Sequence, residues 1–311
     1  MGHCAPTIMQ TILDASDTEA PWLVKLTAGL PGGIGNTGFE CGGITAPLVL
    51  LGLRHGLGAA HEGLPLVFYK GHDLLQRFSR SHQSLMCQQI WGHARLPLRC
   101  IGVIRSSPGL YAKTLSSDSL EIIPSERRQA YCRLYAHFGE NEFHCAHAVF
   151  QRLGSVIPTS PELLDGTAAF IGGTVFTGMT CSAFTAGVMA LGLKLGEIEN
   201  SRLRVLRMIA TMAVGGDAFA DDMNKFNKIM NLGHRLSQWF TDEFGSTQCR
   251  AITQCDFSST AGVSRYIESG GVTRCKALAD KVAVKVQEML EETKANPGMP
   301  DMAQPDRSPT R

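Results

Sequence analysis

The chain is poor in the features that usually settle a function quickly. Aromatic side chains make up 7% of its 311 residues, too few for a platform on which nucleic-acid bases stack. Neither sign of charge dominates: 29 Lys and Arg stand against 28 Asp and Glu, a formal net charge of +1. That argues against the concentrated cationic surface that nucleic-acid binding needs. There is no C-x2-C pair, no ferredoxin-type run and no C-x-x-C-H, so the common zinc, ferredoxin and covalent-haem signatures are silent. No nucleophile–base pair or carboxylate dyad presents itself, and an enzymatic role stays open. Strand-like alternation with hairpin turns is scarce. Cys4 already opens an apolar run, which leaves no room for a secretory signal. The expectation is therefore a cytoplasmic protein, in which thiols serve metal or redox chemistry rather than structural disulfides. Met1-Gly2 invites N-myristoylation, but Pro6 stands where Ser or Thr is wanted.

What the chain does have, it has twice. Gly2-His3-Cys4-Ala5 is echoed by Phe143-His144-Cys145-Ala146. The stretch 32–56 is echoed by 172–196, with Gly32/Gly172, Gly33/Gly173, Gly38/Gly178, Cys41/Cys181, Thr45/Thr185, Gly52/Gly192 and Gly56/Gly196 among the paired identities. Gly71-His72-x-Leu74-x-Gln76-x-Phe78 returns as Gly233-His234-x-Leu236-x-Gln238-x-Phe240, each followed by a cysteine, Cys87 and Cys249. Cys100 and Cys275 close the two units. Internal repetition of this kind defines the architecture before any local signal does. It makes two homologous halves with four ordered thiols each: residues 1–115 and 140–292, joined by a connector at 116–139 and followed by a tail at 293–311 that reads as disordered.

The fold class expected is all-α, two helical domains in pseudo-twofold tandem. Periodicity or composition predicts helices over 145–153, 181–195, 201–214, 223–244 and 275–292. In the connector, Ser125-Glu126 after Pro124 reads as a helix start. Residues 167–193 carry no charge and are long enough to cross a bilayer. The glycines within that stretch, and Glu40 in its repeat partner, favour a loop feeding a fully buried helix over a membrane span. The helix after Cys181 carries Ala183, Ala186, Gly187, Ala190 and Gly192, which suits a central helix that neighbours approach closely. The second half is longer by two insertions, between Gly196 and Gly233 and between Cys249 and Cys275.

Cys41 and Cys181 each follow a Gly/Thr-rich loop and begin an apolar helix, and Cys4, Cys145 and Cys275 also head apolar runs. Unsatisfied amides and the positive end of a helix dipole would surround such sulfurs and favour thiolate. Several helix starts converging on one spot would make a four-thiolate pocket, the usual ligand set of 2Fe–2S and 4Fe–4S clusters and also of structural zinc. Spacing does not choose between them.

The elements Cys41-Gly42-Gly43-Ile44-Thr45-Ala46 and Cys181-Ser182-Ala183-Phe184-Thr185-Ala186, set among the other cysteines, resemble the C-GCAxxG-C-C family of redox-active proteins. The resemblance covers most of the chain. Both elements depart from the motif by small-for-small exchanges, including alanine for the final glycine. Similar domains are fused to haem domains in split-Soret cytochromes. The resemblance implies electron transfer through iron–sulfur clusters, up to two per chain. Cys4, Cys41, Cys87 and Cys100 would form one ligand set and Cys145, Cys181, Cys249 and Cys275 the other. It also implies a partner oxidoreductase or electron carrier and is compatible with a homodimer, while the charge balance, the few aromatics and the interrupted apolar stretch lead us to expect no nucleic acid and no membrane insertion. Two other classes stay open: a thiol–disulfide redox protein and a zinc-stabilised interaction scaffold.

The remaining residues read as follows. Cys132 has no repeat partner and is a bystander. Cys255 aligns with His93, either as a ligand exchange or as drift at a position that binds nothing. His3/His144 and His72/His234 are paired across the halves and read as packed helix histidines, with cluster contact or proton shuttling as alternatives. Gly33-Ile34-Gly35-Asn36-Thr37-Gly38 matches G-x-G-x-x-G, but neither the strand nor the acidic residue of a dinucleotide site is convincing. These glycines read instead as a turn that lets the backbone approach the thiol site.

Overall fold

The computed structural model describes residues 3–58, 60–92, 98–118, 120–198 and 225–295, with Leu206 and Ala210 between the last two segments. Of the helix expected over 201–214 only Leu206 and Ala210 are among the described residues, and His93 and the tail beyond 295 lie outside them.

The first half runs α1 (Cys4–Ala15), α2 (Pro21–Leu26), α3 (Gly42–His55), a two-stranded antiparallel hairpin (Ala60–His61 with Leu64–Pro65), α4 (Leu66–His82), α5 (Cys87–Trp91) and α6 (Leu98–Leu115). The connector carries α7 (Ser125–Glu140), which begins at the Ser125 read as its start. The second half repeats the order with α8 (Cys145–Arg152), α9 (Pro161–Asp165), a 3-10 turn (Ala168–Phe170), α10 (Ser182–Leu195), α11 (Lys225–Phe244), α12 (Cys249–Thr253), α13 (Thr260–Glu268) and α14 (Gly271–Ala295). The protein is all-α in two homologous halves. No helix among the described residues is long and apolar enough to cross a membrane.

Helices α3 and α10 form the centre. Every residue from Gly42 to Gly52, and from Ser182 to Gly192, is buried, as expected of helices that are apolar on all sides. The uncharged stretch 167–193 is thus a loop feeding a buried helix. Each central helix packs within its own half, α3 on α1 and α4, α10 on α8 and α11. Each also meets the other half, α3 on α9 and α10 on α2. The paired glycines make that crossing. A Cβ on Gly52 would collide with the Asp165 carbonyl oxygen, and one on Gly192 would lie 2.6 Å from the Lys25 carbonyl oxygen.

The two glycine-rich loops are left-handed turns. Residues 32–36 and 172–176 all have positive φ, between 44° and 85°. In the second half the run includes Thr174, Val175 and Phe176, and a β-branched residue at φ 44° such as Val175 is a true outlier. The cost is about 1–2 kcal/mol per non-glycine residue, so burial against the other half must hold it. Gly35 lies against Gly233 of α11, and Val175 against Gly71 of α4. His72 donates from Nε2 to the Val175 carbonyl at 3.1 Å. These loops account for the G-x-G-x-x-G match without any strand–turn–helix nucleotide site.

Between the loops sits a buried carboxyl. Glu40 and Thr180 occupy equivalent positions, one residue before Cys41 and Cys181. Glu40 is fully buried and accepts hydrogen bonds from the Thr180 amide (2.9 Å), the Thr180 hydroxyl and the Thr174 hydroxyl (3.5 Å). Burial holds its pKa above the ordinary 4.5, and the bonds from Thr180 oppose that shift.

Candidate functional site

In each half, main-chain pairing brings two thiols together. The Cys41 amide donates to the Leu85 carbonyl and the Cys87 amide to the Phe39 carbonyl, at 2.9 and 2.6 Å. The second half repeats this, Cys181 to Thr247 at 2.8 Å and Cys249 to Met179 at 2.7 Å. The other two thiols come from flanking helices that pack on the central one. Cys4 is the first residue of α1 and Cys145 the first of α8. Cys41 and Cys181 cap α3 and α10, as the sequence indicated. Cys87 and Cys249 also open helices, α5 and α12, a placement that their sequence context did not reveal. Cys275 corrects the expectation. It is not a helix start but the fifth residue of α14, which begins at Gly271 after Gly270 in the left-handed region.

The four thiols of each half act on one another. In the first, Cys4 feels Cys41 and Cys100, Cys100 feels Cys41, and Cys87 is hydrogen-bonded to Cys41. In the second, Cys249 feels Cys181, Cys145 and Cys275. Those four line one cavity of about 20 Å³, walled by Ile252 and Leu278 among others. Both predicted sets are therefore gathered, each within its own half. Cys132 stands apart on α7, where its thiol donates to the Glu62 carbonyl at 3.3 Å. Cys255 is buried and lies close enough to Cys249 and Cys275 to perturb both thiols.

The expected thiolate character is overturned. Backbone amides do reach the sulfurs: helix-start Ala5 at Cys4, Gly43 at Cys41, and Phe184 and Ala183 at Cys181, with turn residues Gly32 at Cys4 and Gly172 at Cys145. The glycine turn thus approaches the thiol site as read, though at Cys4 and Cys145. Burial outweighs these donors. It pushes Cys100 to about 11 and Cys181 to about 12, and raises Cys4, Cys145, Cys249 and Cys275. For Cys41 the hydrogen bond with Cys87 raises the pKa most, and burial adds to it. At neutral pH these shifted thiols are protonated in the metal-free protein.

An alkaline test follows. Unfolded thiols ionise near 9.0, whereas folded Cys181 holds its proton to about 12. Between those values the folded state binds more protons, so stability is fully present below pH 9 and falls as pH rises. The slope is about 1.4 kcal/mol per pH unit for each such thiol. Urea denaturation of reduced, metal-free protein at pH 7.5 and 10.5 should show this loss, and equal stabilities would contradict it.

Of the paired histidines, His144 and His72 are held to backbone carbonyls. His144 caps α8 by accepting the His147 amide at Nδ1 (3.3 Å) and donates from Nε2 to the Ala168 carbonyl (3.3 Å). Burial lowers its pKa well below the ordinary 6.5 and brings His72 to about 4. Both His144 ring nitrogens are thus committed to backbone. His3 is buried at the equivalent cap of α1. His234 lies on α11, its Nε2 3.4 Å from the Gln238 amide nitrogen.

Two elements that matter to the site left little trace in sequence. Glu40 registered only as a charge interrupting an apolar run. Tyr266 belongs to the insertion between Cys249 and Cys275, and its hydroxyl donates to Cys275 Sγ at 3.3 Å.

The fold and its two thiol centres define a duplicated helical four-cysteine protein. A family model described as "Putative redox-active protein (C_GCAxxG_C_C)" matches twice, over residues 2–113 and 143–289. The chain belongs to that family, and the double match is consistent with tandem duplication. No curated protein and no solved structure matched.

Proposed function

We propose that the chain is an electron-transfer protein in which each half holds one iron–sulfur cluster on its four cysteines, relaying single electrons to a partner oxidoreductase or carrier. The observation that carries this reading is the convergence, in both halves, of four thiols from well-separated sequence positions. Thiols as the shared donors suit iron–sulfur clusters, which are held by cysteine thiolates. The roughly 20 Å³ of free space between the second set suits a water-sized guest, so loading a cluster would require this site to widen. Among the described residues no three His, Cys, Asp or Glu are already grouped as ligands of one metal ion. When bound, the cluster supplies a reversible one-electron couple. The protein supplies burial, amide donors to the sulfurs and apolar walls. Loading must release protons, so assembly is pH-dependent.

A second reading has its own observation. The hydrogen-bonded pair Cys41 and Cys87 is placed as a dithiol would be, which favours thiol–disulfide exchange. Anaerobic purification with a visible spectrum and iron, zinc and sulfide quantitation separates the classes. The cluster reading expects brown protein with iron and acid-labile sulfide that bleaches on reduction. Colourless, iron-free protein after anaerobic reconstitution overturns it. Zinc would then indicate a scaffold, and a redox-sensitive free-thiol count a dithiol.

A further inference from the structure

The second half carries an element with no counterpart among the described residues of the first. The chain between Cys249 and Cys275 is long enough to form α13, and α13 sets Tyr266 over Cys275. Packing fixes the ring. Tyr266 is 1% exposed, lies edge-on to Phe138 and Phe257 with centroids 5.9 and 5.2 Å away, and presses on Gly271, where a Cβ would enter the ring. Phe138 reaches it from the connector helix α7, so three elements aim one hydroxyl at one sulfur. In the first half, α5 is followed by α6 without an intervening helix among the described residues.

Resting on the cluster reading above, we propose that Tyr266 is a positioning residue that tunes the second centre alone. Its O–H···S bond withdraws charge from the Cys275 sulfur and so favours the reduced cluster, which carries one more negative charge. Hydrogen bonds to cluster sulfurs are among the levers that set iron–sulfur potentials. The two centres are thereby unequal although their thiol sets match. The nearby Arg274 and Cys255 also act on Cys275, but neither is held at the sulfur by a hydrogen bond that the structure shows.

The test is an anaerobic redox titration of reconstituted wild type and Tyr266→Phe, followed by visible absorbance and electron paramagnetic resonance. The phenylalanine keeps the ring and its packing and removes only the donor. Iron and sulfide content should be unchanged. At the wild-type midpoint of the second centre, the reduced-to-oxidised ratio should fall by on the order of tenfold, about 59 mV for one electron. The first centre should not move, and a Cys145→Ser background that leaves only the first centre assigns the two signals. Unchanged potentials in fully loaded Tyr266→Phe, or equal shifts in both centres, overturn the proposal while leaving the cluster reading intact. Absence of iron from the wild type overturns both. If Tyr266→Phe does not load, difluorotyrosine at position 266, a stronger donor of the same shape, should raise the second potential, and no change there overturns the proposal.

Discussion

Glu40→Ala should destabilise the whole chain, by about 3 kcal/mol, because it strips the acceptor from three donors at once. The Thr180 amide and the Thr180 and Thr174 hydroxyls all end on this carboxyl, and each buried group left unpaired costs about 1–3 kcal/mol. The donors belong to the second half and the acceptor to the first, so the loss falls on the contact between halves. Glu40→Gln keeps an oxygen for the Thr180 amide, and the Thr180 hydroxyl can turn to accept from the new amide. Its cost should stay below about 1 kcal/mol. The pH dependence separates the variants further. The folded pKa of Glu40 lies above the unfolded 4.5, so its protonated form contributes stability that is present below pH 4.5 and lost as pH rises through the folded value. Glutamine removes that term. Chemical denaturation of wild type and both variants at pH 4, 5.5 and 7 measures this. Full stability in Glu40→Ala would show that the bridge does not hold the halves together.

Cys145→Ser should lose half of the iron and sulfide and keep the rest, whereas Cys255→Ser should keep all of it. Serine preserves the packing of α8 on α10 and α14, so the loss reads out ligation rather than folding. Cys255 lies near the set but enters it from the insertion, where sequence alignment offered His93 as its partner. Complete loss in Cys145→Ser would mean that the two sets serve a single centre. Loss in Cys255→Ser would make that thiol a fifth participant. Metal analysis and thermal unfolding on the same samples distinguish a missing ligand from a damaged fold.

The thiol sets were legible because duplication is a signal carried by order and local context, and both survive in a single chain. The central helices were legible too, since Gly42–Gly52 and Ser182–Gly192 are small or apolar on every face. Their chemistry was misjudged. A helix start argues for thiolate, but the burial that outweighs it depends on α1, α6, α8 and α14 closing over the sulfurs, which no local pattern records. Cys275 was placed at a helix start because the apolar run resumes there. The helix in fact begins four residues earlier, where Gly271 fits beneath Tyr266. Glu40 was opaque for another reason: its partners lie 134 and 140 residues away. A lone acid in an apolar run discloses burial only when its donors are known. The left-handed course of residues 172–176 was hidden likewise, because Thr174, Val175 and Phe176 are residues that avoid it.

The reciprocal contact of the two loops has a consequence for how the chain tolerates being divided. Gly35 meets Gly233 and Val175 meets Gly71, so one surface is used twice, as in an isologous pair of subunits. The connector, with its packed helix α7, turns that pairing into an intramolecular event that does not depend on protein concentration. Cut within the connector, the halves would depend on mass action, and each would hold its strained turn only while the other was bound. What looks like one stable protein is in this sense a tethered dimer, whose dissociation constant its own sequence has rendered irrelevant.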